Sequence, residues 1–326
     1  MVNIIGGSGF IGTRLCKRIH SKDIKFSIID KAMSKTFPQL CKIADVRDFH
    51  GLMQTCDGDI IINLAAEHRD DVSPKSLYDE VNVEGAKNVC AVAEQKGINK
   101  IIFTSSVAVY GFAPPGTDET GKINYFNDYG RTKWEAENVY RAWQEKAPDK
   151  RSLVIIRPTV VFGEQNRGNV YNLLRQIASG KFVMVGDGTN VKSMAYVENV
   201  AAFIEYSLNF GPGIHVYNYI DKPDFDMNTL VKNVYRTLGK DDTINFRLPY
   251  SVGYGIGKLF DIAAVITKKK FPISSIRVKK FCSNSSFETS IAQTGFIPPV
   301  SIYDGLMKTI EYEFINKHNG EVFYSE

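Results

Sequence analysis

"NIIGGSGFIGTRL", residues 3–15, spaces three glycines, Gly6, Gly9 and Gly12, at the join between an apolar run and an amphipathic stretch. A loop of this GxxGxxG form lets backbone N–H groups approach a pyrophosphate, which then rests at a helix N-terminus. Glycine spacing alone also fits a plain tight strand–helix turn. The surroundings narrow the reading. The motif directly follows "VNII" (2–5), and Asp30 closes the next apolar run, "FSIID" (26–30), 18 residues beyond Gly12. A carboxylate there accepts hydrogen bonds from ribose hydroxyls and repels a 2′-phosphate. Lys31 follows it, not arginine. NAD is therefore favoured over NADP as the cofactor. Asp45, just after "CKIA" (41–44), either reaches the adenine or caps a helix over "VRDFHGLMQ".

Outward from this loop, apolar runs alternate with amphipathic stretches. Strands are expected at 2–5, 26–30, 41–44, "DIIINL" (59–64), "KIIFTS" (100–105) and "SLVIIR" (152–157), with helices over 76–96 and 128–146. Continuous apolar strands separated by helices mean an α/β fold, a doubly wound parallel sheet covered on both faces. After Pro158 the pattern loosens. Helices are expected at 169–179, 197–209 and 226–238 and a strand at "GIHVYNYI" (213–220). The expected organisation is a nucleotide-binding unit over 1–165, with 190–222 returning to it, and a smaller C-terminal substrate-binding lobe over 166–326.

"NDYGRTKWEAE" (127–137) sets Tyr129 one helical turn ahead of Lys133. A free phenol has a pKa near 10, and bringing it to neutrality is worth about 4 kcal/mol. One ammonium at about 4 Å supplies about that much at an effective dielectric of about 20. Burial takes part of it back. A second positive charge is needed, and an oxidised nicotinamide ring provides one. Ser105 and Ser106 in "IIFTSSVAVYG" stand at a strand's C-terminal end, where α/β sites gather, and either steer a substrate hydroxyl or cap a turn.

These features together resemble the extended short-chain dehydrogenase/reductases that act on sugar nucleotides. GGSGFIG, Asp30, "NLAA" (63–66), "FTSSVAVYG", YGRTK and "IIRPTVVFG" (155–163) stand in that family's order. The resemblance implies a Rossmann-type sheet, Tyr129 as base, Lys133 binding the nicotinamide ribose, and Ser106 touching the substrate hydroxyl. It also implies dinucleotide contacts at Gly6, Gly9, Phe10, Ile11, Gly12, Asp30, Asp45, Val46, Leu64, Ala65, Ala66, Tyr129, Lys133 and Pro158. Members that eliminate water carry an acid–base pair after the strand-end serine; here Val107 and Ala108 stand there and can move no proton. The implied reaction is 4-epimerisation through a 4-keto sugar. Longer stretches, such as "LAAEHRDDVSP" (64–74) and "GTNVKSMAYVEN" (188–199), resemble the bacterial epimerases that act on N-acetylglucosamine carried by undecaprenyl diphosphate for O-antigen assembly. Three other readings stay open: the same chemistry on a soluble UDP-sugar, a net oxidoreductase releasing NADH, and a non-catalytic dinucleotide-binding protein. A helix-paired homodimer is usual for the family.

For the substrate diphosphate the candidate cations are Arg167, Lys192 and Arg277, with Asn169 as a polar contact. Each also reads as surface charge. Lys192-Ser193 replaces the family's usual Arg-Asp pair and Tyr196 its histidine. "EHRDD" (67–71) suggests a polar sugar pocket with His68 and Arg69 nearest, or a solvated loop.

The bulk numbers limit the alternatives. The 326 residues are 44% hydrophobic and 23% charged with a net charge of +4. No basic run is interleaved with aromatics, so nucleic acid is not an expected partner. The five cysteines form no CxxC and the five histidines show no ligand spacing, so neither a metal nor a disulfide framework is expected. "MVNIIGGSGF" shows no signal peptide, and a cytoplasmic protein is expected. The run 251–267 is too short to span a bilayer and carries Lys258 and Asp261, each costing about 2.5–3.5 kcal/mol at a membrane helix centre. If helical, it aligns Val252, Ile256, Leu259, Ala263 and Ile266 ahead of Lys268, Lys269 and Lys270. That suits either a peripheral membrane surface or a core helix of the small lobe. Gly253, Gly255 and Gly257 weaken the helix expectation itself.

Overall fold

A computed structural model describes residues 1–69, 72–244, 246–267 and 274–324. The strands are β1 (Val2–Ile5), β2 (Phe26–Asp30), β3 (Cys41–Ile43), β4 (Ile60–Asn63), β5 (Lys100–Thr104), β6 (Ser152–Pro158), β7 (Val160–Phe162), β8 (Met184–Val185), β9 (Val191–Tyr196), β10 (Gly213–Tyr219), β11 (Asp221–Asp226) and β12 (Arg247–Leu248). The helices are α1 (Phe10–Ser21), α2 (Phe49–Thr55), α3 (Ser76–Tyr78), α4 (Gly85–Lys96), α5 (Asp128–Glu145), α6 (Asn169–Ala178), α7 (Val197–Tyr206), α8 (Met227–Thr237), α9 (Tyr250–Thr267), α10 (Ser275–Cys282) and α11 (Ile302–Ile310).

The large sheet runs β10-β6-β5-β4-β1-β2-β3, with every pairing parallel. Its inner strands bury residues on both faces: Ile4, Ile28, Ile61, Ile62, Ile101, Ile102, Val154 and Ile155 are all inaccessible to solvent. That explains runs without polar alternation. The order reverses between β1 and β4, and the crevice there opens at the C-terminal strand ends. β10 completes the sheet beside β6, and α7 packs on α1, so the chain comes back to the large sheet after leaving it. β9 does not come back with them. It sits with β7 and β11 in a separate small sheet, so the return begins at α7.

The smaller lobe has its own core, in which Leu174 and Ile177 of α6 meet Leu230 and Val234 of α8 and Leu306 and Ile310 of α11. The helix expected over 76–96 forms, but a π-helical stretch, Asp79–Glu84, separates α3 from α4. α5 starts where Asn127 accepts a hydrogen bond from Gly130 N at 2.9 Å. It buries Lys133, Ala136, Glu137, Tyr140 and Trp143 along one face.

α9 contradicts two expectations. Its glycines do not break it, and it is not a core helix. Of its residues only Gly253 and Gly257 are buried. A Cβ on Gly257 would stand 2.7 Å from Ser275 N, so close approach to α10 requires glycine there. The large apolar side chains face outward. Lys268, Lys269 and Lys270 lie outside the described residues.

Candidate active site

A cleft of about 820 Å³ opens over the C-terminal ends of β1, β4 and β5. The glycine loop forms its floor. Gly6 has φ +78°, and a Cβ there would stand 2.6 Å from Ala65 N; one on Gly12 would stand 2.6 Å from Gly6 O. A side chain at Gly6 would run into "NLAA", and one at Gly12 into the backbone of the loop itself. Phe10, Ile11, Leu64, Ala65, Ala66 and Pro158 line the same cleft, with Val46 beside them.

Asp30 ends β2 with its carboxylate turned to this loop. Oδ2 accepts from Ser8 N and Oδ1 from Ala32 N, each at 3.0 Å. Asp45 also lines the cleft but is engaged by Arg47, whose backbone N, Nε and Nη2 all donate to it. The Arg47 hydrogen bond is the main reason its pKa is lowered. Asp45 does not cap α2, because Asp48 holds the cap position. Arg47 is held between Asp45 and Glu80.

The two serines separate. Ser105 Oγ donates to Glu137 Oε1 at 2.6 Å and is buried. Ser106 Oγ accepts from Ala108 N at 3.1 Å and lines the cleft opposite Tyr129. Ser106 thus caps the turn after β5, as one of its two readings expected, and it also lines the cleft. Burial pushes the Tyr129 phenol up to about 12, Ser106 lowers it, and Tyr78 raises it slightly further. Lys133 is not among the groups acting on it. The expected depression of the phenol by the ammonium is thus absent, and burial is the largest influence on it. Burial also lowers Lys133 to about 7, opposed by the Glu137 carboxylate one turn on. Lys133 Nζ lies 4.5 Å from the centroid of the Phe103 ring and has no hydrogen-bond partner among the described residues.

Glu137 was not among the residues singled out from sequence. It is inaccessible, and Arg157 of β6 grips it with Nε at 2.8 Å and Nη2 at 2.6 Å. Arg157 Nη1 donates to the Tyr110 hydroxyl, which donates to Asn218 of β10. The only sequence signal for Glu137 is its place four residues beyond Lys133.

The substrate-side candidates divide. His68 lines the cleft mouth, and the surrounding protein lowers its pKa although the ring keeps an exposed face. Asn169 lines the cleft at the start of α6; Asn166, Ser285 and Phe287, not foreseen, join it. Arg167, Lys192 and Arg277 do not line it. Arg167 pairs with Glu313 at 2.6 Å and lies over the Tyr171 ring. Lys192 Nζ donates to Lys280 O and Ser283 O at the end of α10 and so clamps that helix. Burial lowers it to about 8. Tyr196 donates to Glu164, and it too is a buried structural group. Arg69 accepts a hydrogen bond from Tyr78 through its backbone oxygen; Asp70 and Asp71 lie outside the described residues.

The donor set fits a dinucleotide. The backbone cradle has no room for side chains, Asp30 is set for ribose hydroxyls, and the orphaned Lys133 Nζ is a buried donor facing the cleft. Comparison with known proteins agrees. The UDP-glucose 4-epimerase of Thermotoga maritima superposes with a TM-score of 0.74 at 19% identity, over 95% of this chain and 97% of that one. A Thermus thermophilus UDP-glucose 4-epimerase solved with NAD gives 0.73 at 20% identity, over 95% and 98%. Likeness at this identity speaks for the fold. In sequence, the chain is 51% identical over 329 residues to the N-acetyl-alpha-D-glucosaminyl-diphospho-ditrans,octacis-undecaprenol 4-epimerase of Escherichia coli O157:H7, covering 100% of this chain and 99% of that protein. With residues 2–219 also matching its family description, the chain belongs to the NAD dependent epimerase/dehydratase family, and NAD is its cofactor.

Proposed function

We propose that the protein is an NAD-dependent 4-epimerase of an N-acetylhexosamine diphosphate, converting N-acetylglucosamine to N-acetylgalactosamine on a polyprenyl carrier. The observation that carries this is the end-to-end identity of 51% with an epimerase of that substrate, together with Ser106, Tyr129 and Lys133 around one cleft. Bound NAD supplies a hydride acceptor and donor at the sugar carbon. The chain supplies the rest. Ser106 holds the 4-hydroxyl, Tyr129 Oη takes its proton and later returns it, and Lys133 with Glu137 behind it keeps positive charge beside the phenol. The 4-keto sugar turns over within the cleft before it is reduced on its other face. Val107 and Ala108 offer no acid or base for loss of water. A lipid carrier implies work at the cytoplasmic face of a membrane, and the family resemblance implies a homodimer, which light scattering tests.

Product analysis with undecaprenyl-diphosphate-linked and UDP-linked N-acetylglucosamine side by side tests the substrate. Lipid-linked N-acetylgalactosamine without accumulation of NADH is the expected product. Turnover of the UDP-linked sugar alone would move the substrate to soluble nucleotides. Stoichiometric NADH would replace epimerisation by net oxidation.

A further inference from the structure

Most helices of a globular protein turn their apolar side inward. α9 does the reverse. Its packed side consists of Gly253 against Val185, Gly257 against Ser275, and Asp261, whose carboxylate accepts from Ser275 Oγ at 2.5 Å. Its outward side presents Val252, Ile256, Leu259, Ile262 and Ile266, and Val265, one turn beyond Asp261 on the packed row, is exposed as well; Leu259, Val265 and Ile266 are exposed by 67%, 80% and 75%. Phe246 and Tyr250 extend this surface at the helix start, and Ile276 of α10 flanks it. A contiguous apolar surface of this kind marks an interaction site.

Charge selects the occupant. Residues 246–282 hold eight basic residues and one acid, a net +7 in a chain whose total is +4. The remainder of the protein is therefore net negative. The single acid, Asp261, is taken up by Ser275, so the outward side of α9 carries no negative charge. An apolar stripe within a segment of sequence so rich in lysine and arginine matches an anionic bilayer, where side chains enter the headgroup region and cations meet phosphates. Among the described residues no helix is long and apolar enough to cross a membrane, so α9 would lie in the plane of the surface.

The helix is also joined to the cleft. α10 packs on α9, and Lys280 of α10 lies 4.6 Å over the ring of Phe126. Phe126 stacks beside Phe112 at 4.9 Å, and both rings are about half exposed. Gly111, next to Phe112, and Ser285, just past α10, line the cleft. Phe112 thus adjoins a cleft residue, and Phe126 meets α10, the helix that packs on α9. We infer that α9 seats the protein on an anionic lipid bilayer, apolar side down, and that the rim of Phe112 and Phe126 gives the carrier chain its way from bilayer to cleft. This deepens the lipid-linked reading above and rests on it for its purpose.

The test is flotation of the full-length holoprotein with phosphatidylethanolamine/phosphatidylglycerol vesicles and with phosphatidylcholine vesicles. Binding is expected to the first and not the second, and to fall about tenfold at high salt. The double variant Leu259→Glu/Val265→Glu should lose binding by at least about tenfold while its melting temperature and its turnover of detergent-dispersed substrate stay unchanged. Lys258→Glu/Lys279→Glu, which leaves every apolar side chain in place, should lose binding to the anionic vesicles. Wild-type protein that stays unbound from anionic vesicles overturns the inference. So does an oligomer that falls apart in Leu259→Glu/Val265→Glu, since a second copy would then cover α9. Flotation without turnover of the lipid-linked sugar would support the docking and remove the substrate reading instead.

Discussion

Lys133 and Glu137 stand one turn apart on α5, both sealed from solvent, with the carboxylate held on its far side by Arg157. The carboxylate raises the ammonium's pKa against the pull of burial, and that balance leaves Lys133 near 7 in the cofactor-free protein. Glu137 is thereby a positioning residue for the site, although it touches no open space.

Replacing Glu137 with Gln should push Lys133 lower and move the alkaline limb of the pH–rate profile to lower pH, since the lysine then loses its charge sooner as pH rises. It also leaves Arg157 buried without its partner, at a cost of about 3–5 kcal/mol. The double variant Glu137→Gln/Arg157→Met removes that stranded charge. It should recover stability while keeping the altered pH profile. A recovered profile would reduce Glu137 to a structural role.

Lys133 itself should cost the cofactor-free protein stability. Its folded pKa of about 7 lies below the unfolded value of 10.5. Between those limits the unfolded chain binds more protons, so this group's contribution rises as pH rises. Lys133→Met should stabilise the cofactor-free protein by on the order of 2 kcal/mol at pH 7, and the gain should shrink toward pH 10. Urea melts across that range measure it. Turnover should be lost throughout.

Tyr129→Phe should lower turnover by about 10³-fold or more yet leave NAD bound. The dinucleotide released on heating, counted per chain, checks retention. Ser106→Ala removes the one group that lowers the phenol's pKa, so the acidic limb of its rate profile should move to higher pH. An unchanged limb would mean that Tyr129 does not set it.

Asp30→Ala should weaken NAD by about tenfold or more and narrow its preference over NADP, because the ribose acceptors and the repulsion of a 2′-phosphate go together. Titration of both dinucleotides measures the ratio.

Lys192→Met should lower stability by about 1–3 kcal/mol, as two carbonyls at the end of α10 lose a charged donor. The KM for substrate should hardly change. A rise in KM without loss of stability would restore Lys192 to the diphosphate.

The parts legible in sequence were those written locally. The glycine loop, Asp30 at the end of β2, and the Tyr129–Lys133 turn each depend on neighbours a few residues away. The diphosphate cations did not read through, because their partners are distant. Lys192 is spent on carbonyls 88 and 91 residues later, and Arg167 on a carboxylate 146 residues away. Arg157 reaches Glu137 from another element, so no spacing rule announces the pair. For α9, propensity pointed the wrong way: glycines that weaken an isolated helix are what let this one lie against α10. Burial, which the sequence set against the ammonium without a magnitude, is the largest influence on the phenol.

The return of α7 and β10 to the large sheet has a consequence for how the polypeptide is made. A nascent chain released as far as residue 165 has β6 but lacks β10, the neighbour that pairs with it from Ser152 to Pro158. Such a fragment would carry an open apolar margin and a bare flank on α1. The sheet closes only after synthesis has passed α6, β8, β9 and α7 and reached β10. The two halves should therefore melt in one transition, and a gene split after codon 165 should give pieces that are insoluble apart and recover only when expressed together.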